Sequence, residues 1–242
     1  MYSFFCSEFP DSLSGDTILL EEKGSSAFLQ HCKVRRIRSG EKIKIFNGAG
    51  KIYECMVEEY LKKSITLKVT NAQTSNIIKN LHLWIPPLEV TPVETILDMC
   101  TQVGVTDFHF FTSKQSQEGH YLNSQSKRDR FERIIKEAAA QSEQAYLPRI
   151  HWELVALASL PLPEYVQDRH IVPIERAQYS TSQILDTKTT HIYIGPEGGW
   201  TQKEVETLST SPFIPVSFST MGVLRAETAA IIASGLASEG CL

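Results

Sequence analysis

Apolar and polar residues alternate over much of the first 70 residues, which is the pattern of strands with one buried face. Ile43 and Ile45 lead into the turn FNGAGK (46–51), and the Asn-Gly pair in this turn is a strong hairpin signal. The segment ITLKVT (65–70) predicts a further strand. We therefore expect a small, mostly β domain over residues 1–72.

The pattern changes after TNAQTSNIIKN (70–80), a polar stretch without clear periodicity. Apolar residues then recur at helical spacing over 93–103 and 131–139. Short apolar segments before, between and after these helices predict strands, namely LHLWIP, DFHFF, HIVPI, HIYIG and FIPVSF. Strands that alternate with helices indicate an α/β domain with a mainly parallel sheet, which we place at residues 73–242.

The composition is that of an ordinary globular protein, with 42% hydrophobic and 21% charged residues. The longest apolar runs are too short to span a bilayer, and the first residues lack the basic and apolar regions of a secretory signal. None of the five cysteines forms a CxxC pair. We therefore expect free thiols in a reducing cytoplasm and no structural zinc site.

Basic residues are unevenly distributed, although the formal net charge is −4. Between His31 and Lys51 there are seven lysines and arginines and one acid, Glu41, and a second basic group lies within 127–136. Such local patches are sufficient for phosphate contacts on a protein with negative net charge. Solvated charged faces are the alternative, and charge alone does not decide between the two.

The stretch IGPEGGW (194–200) places three glycines and a single carboxylate directly after the predicted strand HIYI. Thr201 and Glu204 follow with the spacing of a capping box, which predicts the start of a helix. The unit is therefore strand, glycine loop and helix. Ligands of open α/β sheets bind beyond the carboxyl ends of strands, and glycines permit their close approach to the backbone.

The type of ligand is indicated by Glu197. The loop matches neither GxGxxG nor GxxxxGK[ST], and a carboxylate beside a helix start would repel a phosphate. A carboxylate suits a hydroxyl, an amine or a cation, which favours a phosphate-free cofactor such as S-adenosylmethionine over a nucleotide. A structural turn that packs a helix on the sheet is the alternative, because short motifs often occur by chance.

A second loop of this kind lies in FIPVSFSTMGVLRAETAAIIASG (213–235). A predicted strand again meets small residues and then a helix, whose start carries Arg225, Glu227 and Thr228. These residues either form a solvated ion pair at the helix terminus or lie near the ligand of the first loop. Two such loops on neighbouring strands indicate a shared pocket more strongly than either loop alone.

Together, IGPEGGWTQKEVE and the downstream VLRAETAAI resemble the RsmE-type ribosomal RNA uridine-N3 methyltransferases of the SPOUT superfamily. VRRIRSGEKIKIFNGAGKIYECMV is similar to that family's PUA-like RNA-binding barrel, and RFERIIKEAAAQSEQAYLPRI to its long helix. The resemblance implies an α/β SPOUT methyltransferase domain with a C-terminal trefoil knot, preceded by a small PUA-like β-barrel domain. It further implies a cytoplasmic homodimer that methylates uridine N3 in 16S ribosomal RNA, or in the small ribosomal subunit, with S-adenosyl-L-methionine and without a metal or a membrane.

The resemblance also implies which residues form the site. Cofactor-binding residues would be Val172, Pro173, Gly195, Pro196, Glu197, Gly198, Gly199, Ser217, Phe218, Ser219, Thr220, Met221, Gly222, Leu224 and Thr228. For catalysis, Arg225 would face the O2 or O4 edge of uracil, and Glu197 and Glu227 would orient the substrate or the cofactor amine. RNA-binding residues would be Lys33, Arg35, Arg36, Arg38, Lys114 and Arg128. No residue stands out as the general base, and the histidines are expected to be structural or surface groups.

Several positions depart from the family pattern. Gln115, Gln144 and Gly222 stand where the family usually has arginine, and glutamine does not reproduce the planar fork of a guanidinium. Two alternatives therefore stay open beside uridine-N3 methylation. One is a SPOUT methyltransferase with another RNA target, and the other is an RNA-binding SPOUT protein that has lost catalysis.

Overall fold

The computed structural model describes residues 1–75, 80–161, 163–165, 167–175, 189–218 and 222–240. The chain forms two compact units. The first comprises Met1–Ile77 with Lys136–Leu147, and the second comprises Ile78–Ile135 with Pro148–Leu242. The domain boundary expected after residue 72 remains a prediction. No helix among the described residues is long and apolar enough to cross a membrane.

The first unit is built on a five-stranded sheet and a helix. Its strands are β1 (Tyr2–Phe5), β2 (Thr17–Glu21), β3 (Lys42–Phe46), β4 (Lys51–Tyr60) and β5 (Ser64–Thr74), and the helix is α1 (Glu22–Val34). The strand order is β1-β3-β4-β5-β2, with β1 parallel to β3 and the other pairs antiparallel. The predicted hairpin is the β3–β4 pair, whose turn contains Gly48 and Gly50 at φ of 78° and 93°.

Alternating apolar residues build the core of the first unit. Ile43 and Ile45 of β3 are fully buried, as are Tyr53, Cys55 and Val57 of β4, and the residues between them are more exposed. Successive strand residues point to opposite faces of a sheet, so this burial follows the period of two seen in the sequence. The mostly β character predicted for this part of the chain is confirmed.

Helix α1 lies in the part of the chain for which a mostly β domain is expected, and no helix is predicted there from the sequence. Its buried side consists mainly of Phe28, Leu29 and Cys32, and the ring of Phe28 packs edge-on against Phe4 at 5.6 Å between ring centres. The apolar residues are too few for a clear helical period. Gly24 and the serines that follow it also lower the helix propensity of the first turns.

The second unit is an α/β domain with a six-stranded sheet. Its strands are β6 (Asn80–Ile85), β7 (Asp107–Thr112), β8 (Arg149–Ala156), β9 (Arg169–Pro173), β10 (Thr189–Tyr193) and β11 (Phe213–Val216). Its helices are α2 (Val90–Gln102), α3 (Gln125–Gln141, whose end belongs to the first unit), α4 (Gln202–Leu208) and α5 (Ala226–Ser238). Short 3-10 helices lie at His120–Asn123, Leu157–Ser159 and Pro163–Tyr165.

The sheet of the second unit has the strand order β11-β9-β10-β6-β7-β8, and every neighbouring pair is parallel. The predicted α/β domain with a parallel sheet is confirmed. Strand β8, which the apolar pattern does not predict, forms one edge of this sheet. Its residues are exposed or only partly buried, so RIHWELVA lacks the continuous apolar run of the central strands.

The order in which the chain adds strands creates a switch point in this sheet. β6, β7 and β8 follow one another in one direction, whereas β10, β9 and β11 lie on the other side of β6. Because all strands are parallel, the loops after β9, β10 and β11 emerge at one edge, where open α/β sheets bind ligands. The trefoil knot remains a prediction, since residues 176–188 lie outside the described residues.

Candidate active site

A cleft of about 1260 Å³ lies at the carboxyl ends of β9, β10 and β11. The loops after these strands form most of its wall, through residues 173–175, 194–200, 216–218 and 222–225. The starts of α2 and α5 complete the wall with Glu89, Pro92, Ala226, Glu227 and Ala229, together with Val205 of α4. Segments that are far apart in the chain meet here because parallel strands bring their carboxyl ends to the same edge.

Most residues of the predicted cofactor site line this cleft. They are Pro173, Gly195, Pro196, Glu197, Gly198, Gly199, Ser217, Phe218, Gly222 and Leu224. Arg225 and Glu227, which were assigned to catalysis together with Glu197, line it as well. The two predicted loops therefore face a common space.

Five predicted cofactor residues are not part of the described lining. Val172 is fully buried in the apolar cluster that contains Trp84 and Phe213, so its side chain contributes to the core and not to the cleft wall. Thr228 is half-buried in the first turn of α5. The other three, Ser219, Thr220 and Met221, lie outside the described residues.

The glycine loop turns sharply after β10. Gly199 has a φ of 76°, and its N–H donates to the carbonyl of Pro196 at 2.8 Å. Glycine adopts this left-handed backbone without the steric cost of a side chain. Thr201 then caps α4, since its hydroxyl accepts the Glu204 N–H while the Glu204 carboxylate accepts the Thr201 N–H. The predicted capping box is confirmed.

The other two glycines of the loop lie close to neighbouring side chains. A Cβ at Gly195 would lie 3.0 Å from Nε1 of Trp200, and a Cβ at Gly198 would overlap with Oε1 of Gln115. Trp200 also donates its indole N–H to the carbonyl of Pro173 at 3.3 Å, which ties the glycine loop to the end of β9. Trp200 is not among the predicted site residues. Its position directly after the glycine loop in the sequence is the feature that could have indicated its place in the site.

The cleft carries an excess of negative charge. Its described lining has four carboxylates, Glu89, Glu175, Glu197 and Glu227, and one cation, Arg225, which leaves an excess of three negative charges (four minus one). Glu89 and Glu175 were missed because they lie outside both glycine loops in the sequence. Such a surface disfavours phosphate and favours a ligand with positive charge.

His82, Asp107 and His109 are the one group of described residues whose side chains could hold a metal ion. The geometry of the two histidines suits a hydrogen bond better. The planes of the two rings differ by 13°, and the ring centres are 5.2 Å apart. His82 Nδ1 and His109 Nε2 are 3.0 Å apart, and this distance plus the two ring radii accounts for the separation of the centres. The nitrogens therefore point at each other, and an ion midway would lie about 1.5 Å from each, well inside a zinc–imidazole bond.

Hydrogen bonds connect the buried histidines to one another and to their neighbours. Nδ1 of His82 and Nε2 of His109 share one hydrogen bond at 3.0 Å, and Nε2 of His82 lies 3.6 Å from the Asp107 carboxylate. His191 accepts the indole N–H of Trp84 at Nδ1 and donates from Nε2 to a carboxylate. His191 is thus a neutral imidazole with its proton on Nε2.

Burial accounts for the neutrality of these rings. It lowers the pKa of His82, His109, His170 and His191, to about 3 for His109 and about 2 for His191. Burial opposes the charge of Asp107, but hydrogen bonds from His151 and Arg149 outweigh it and lower the pKa of this carboxyl to about 2. The cluster lies toward the amino ends of the strands, away from the cleft edge, which agrees with the structural role expected for the histidines.

The predicted RNA-binding residues of the first unit are all exposed at and after the end of α1, namely Lys33, Arg35, Arg36 and Arg38. The helix ends in a Schellman motif, in which Arg36 N–H donates to the Lys33 carbonyl and Ile37 N–H donates to the Cys32 carbonyl. Arg36 has a φ of 55° at the position that glycine usually occupies. This conformation costs about 1–2 kcal/mol for a residue with a Cβ.

The other two predicted RNA-binding residues lie in the second unit. Lys114 is exposed, and its backbone N–H donates to a Glu204 carboxylate oxygen at 2.9 Å. Arg128 donates from Nε to the Leu122 carbonyl at 2.6 Å, and its guanidinium lies 5.0 Å from the ring centre of Trp152. Arg128 therefore packs within its unit, and its charge is less available to a phosphate than that of Lys114.

Comparison with known proteins identifies the family. Residues 75–238 match the family model described as RNA methyltransferase domain, and residues 29–70 match the model described as RNA methyltransferase PUA domain. This chain belongs to the RNA methyltransferase domain family. The resemblance drawn from the two loop motifs and the amino-terminal segment is therefore confirmed.

Relatives within this RNA methyltransferase family are similar over most of their length. Ribosomal RNA small subunit methyltransferase E 1 of Borreliella burgdorferi is 28% identical over 207 residues, which cover 84% of this chain and 85% of that protein. The small subunit methyltransferase E of Aquifex aeolicus is 26% identical over 235 residues, or 92% of this chain and 94% of that protein.

Solved structures show the same fold. The methyltransferase E of Neisseria gonorrhoeae, bound to S-adenosyl methionine, has a TM-score of 0.80 at 22% identity and covers 99% of this chain and 98% of its own. A putative methyltransferase of Legionella pneumophila, also in complex with that cofactor, has a TM-score of 0.71 at 22% identity over 98% and 97%. The α/β methyltransferase architecture with an amino-terminal PUA-like domain is thereby confirmed.

Proposed function

We propose that this protein is an S-adenosylmethionine-dependent methyltransferase that modifies N3 of a uridine in 16S ribosomal RNA. The observation that carries the proposal is the acid-lined cleft at the carboxyl ends of a parallel sheet, in a chain of the RNA methyltransferase domain family. The relatives from Borreliella burgdorferi and Aquifex aeolicus, which are similar over most of the chain, are named small subunit methyltransferase E. These names support ribosomal RNA of the small subunit as the substrate.

Two independent features support S-adenosylmethionine as the cofactor. The two solved structures described above hold this molecule in the same fold. The cleft of this chain has the matching electrostatics, because a ligand with a sulfonium and an ammonium group and no phosphate suits a wall with an excess of carboxylates. The glycine loop, with its left-handed Gly199, leaves its backbone accessible to such a ligand.

Different residues of the cleft would have different roles in methyl transfer. When bound, S-adenosylmethionine would supply an electrophilic methyl group, whose bond to sulfur breaks as its bond to N3 of uridine forms, with S-adenosylhomocysteine as the leaving group. The N3 proton would pass to a base or to water. Arg225 is the cation of the described lining, so it can stabilise the negative charge that develops on the uracil oxygens. Glu197 and Glu227 can orient the cofactor amine or the base by hydrogen bonds. The PUA-like unit would hold RNA phosphates with the exposed cations at the end of α1.

A homodimer, the carboxyl-terminal knot and a cytoplasmic location belong to this proposal as consequences of the family resemblance. A uridine inside a helix would not expose N3, so the target must be single-stranded or turned out of the stack. Gln115 and Gln144, which replace arginines of the family pattern, are the reason to measure the target position rather than to assume it.

Two measurements test the proposal in sequence. Calorimetry should detect S-adenosylmethionine binding at one molecule per chain, and absence of binding would favour an RNA-binding protein without catalysis. Small subunits from a strain that lacks its own uridine-N3 methyltransferase should then accept a labelled methyl group. Mass spectrometry of the modified RNA should find the methyl group on N3 of a uridine in 16S ribosomal RNA, and a different nucleotide would identify another target.

A further inference from the structure

The carboxylate of Glu204 makes more contacts than a helix cap requires. Its Oε2 accepts the Thr201 N–H at 2.8 Å and the Thr201 hydroxyl at 2.7 Å, which completes the capping box of α4. Its Oε1 accepts the backbone N–H of Lys114 at 2.9 Å, from the loop that follows β7. A capping box needs only the bonds to Thr201, so the bond to Lys114 has a separate consequence.

That bond holds the loop 113–117 beside the glycine loop. Gln115 lies so close to Gly198 that a Cβ there would overlap with its amide oxygen. Gln117 donates from Nε2 to a Glu197 carboxylate oxygen at 3.5 Å. Glu197 and Gly198 line the cleft, whereas Gln115 and Gln117 are not among its lining residues. The two glutamines therefore support the glycine loop from its outer side.

We infer that Glu204 is a positioning residue, which fixes loop 113–117 against Glu197 and Gly198 and so holds the cofactor-binding loop in its binding conformation. This inference rests on the proposed function. A loop with three glycines has many accessible backbone conformations, and a ligand that must order it binds less tightly. A contact that orders the loop beforehand raises affinity without touching the ligand.

The ionisation of Glu204 agrees with this role. Burial favours the neutral acid, but the N–H groups of Lys114 and Thr201 outweigh it and lower the pKa of Glu204. Both oxygens are therefore acceptors near neutral pH, which the two separate bonds require.

Three variants separate positioning from helix capping. Glu204→Ala loses the carboxylate half of the capping box and the bond to Lys114, and it keeps the bond from the backbone N–H of residue 204 to the Thr201 hydroxyl. Thr201→Ala is the matched control, because it removes the capping hydroxyl, together with its bond to Oε2 of Glu204, and keeps the partners of the bond between Lys114 N–H and Oε1. Gln115→Ala removes the side chain that lies against Gly198 and leaves both the cap and the bond to Lys114 in place.

The readouts are the Kd for S-adenosylmethionine by calorimetry, the KM and kcat for methyl transfer to small subunits, and the Tm. Glu204→Ala and Thr201→Ala should both lower the Tm, because each variant loses one half of the capping box. Glu204→Ala and Gln115→Ala should raise the Kd and the KM for the cofactor about tenfold, with kcat at saturating cofactor close to that of the wild type. Thr201→Ala should keep the Kd and KM of the wild type.

Three other outcomes of these measurements would contradict the inference or the proposed function. If Thr201→Ala and Glu204→Ala change the Kd equally, Glu204 acts only as a cap and the inference is wrong. If Gln115→Ala binds the cofactor as the wild type does, loop 113–117 does not support the glycine loop. If the wild type itself does not bind S-adenosylmethionine, the proposed function fails, and the inference that rests on it fails with it.

Discussion

Lowering the pH from 7 to 5 is expected to destabilise the second unit through its buried histidines. His82, His109, His170 and His191 have lowered pKa values in the folded protein because they are buried. In the unfolded chain histidine titrates near pH 6.5. Below that pH the unfolded chain binds more protons than the folded protein, so stability that is complete above pH 6.5 is lost as the pH falls.

His109 and His191 set the scale of the effect. Their pKa values of about 3 and about 2 keep both rings neutral at pH 5 in the folded state. Each excess proton on the unfolded chain reduces the free energy of unfolding by about 1.4 kcal/mol per pH unit. From pH 7 to 5 these two histidines together therefore cost about 4 kcal/mol, since the unfolded rings are half protonated at pH 6.5 and almost fully protonated at pH 5. Asp107, with its pKa lowered to about 2, adds to the loss only at lower pH.

Urea unfolding followed by tryptophan fluorescence measures this effect, since Trp84, Trp152 and Trp200 all lie in the second unit. His191→Gln removes one titrating ring and should reduce the slope of unfolding free energy against pH, between pH 6 and 5, by about 1.4 kcal/mol per pH unit. Ile192→Val, at the next buried position of β10, is the matched control that lowers stability and keeps the slope. Equal slopes for the wild type and His191→Gln would refute the reasoning.

Three further predictions concern the cleft and the RNA surface. Gly199→Ala, at a φ of 76°, should destabilise the second unit by about 1–2 kcal/mol in urea unfolding, and an unchanged midpoint would contradict the required left-handed turn. Arg225→Lys should lower kcat for methyl transfer by about 10²-fold while calorimetry finds the cofactor Kd within about twofold, and a kcat close to the wild type would remove Arg225 from catalysis. Arg36→Gly should raise the stability of the first unit by about 1 kcal/mol, measured by circular dichroism, and weaken RNA binding with a smaller salt dependence. RNA affinity equal to that of the wild type would mean that the strained arginine has no role in binding.

Local signals in the sequence determined the elements and the core of the site. The alternation around Ile43 and Ile45 predicted the β3–β4 hairpin, and the spacing of Thr201 and Glu204 predicted the first turn of α4. Glu197 among glycines pointed to a ligand without phosphate, and the cleft that contains it is lined by further carboxylates. Each of these features depends on residues within a few positions of one another, so their chemistry can be read from the chain directly.

Tertiary structure alone decided which distant residues share a surface. Glu89 and Glu175 enter the cleft because a parallel sheet with a switch point brings the ends of separate strands together. The bond from the Lys114 N–H to Glu204 joins a loop to helix α4 across 90 positions of sequence, and no local pattern specifies such a partner. The family resemblance places Val172 in the cofactor site, whereas in the folded protein its side chain packs in the hydrophobic core. These cases share one physical reason. Sequence periodicity indicates which face of a helix or strand is apolar, but only the packed sheet determines which residues that face and the adjoining loops contact.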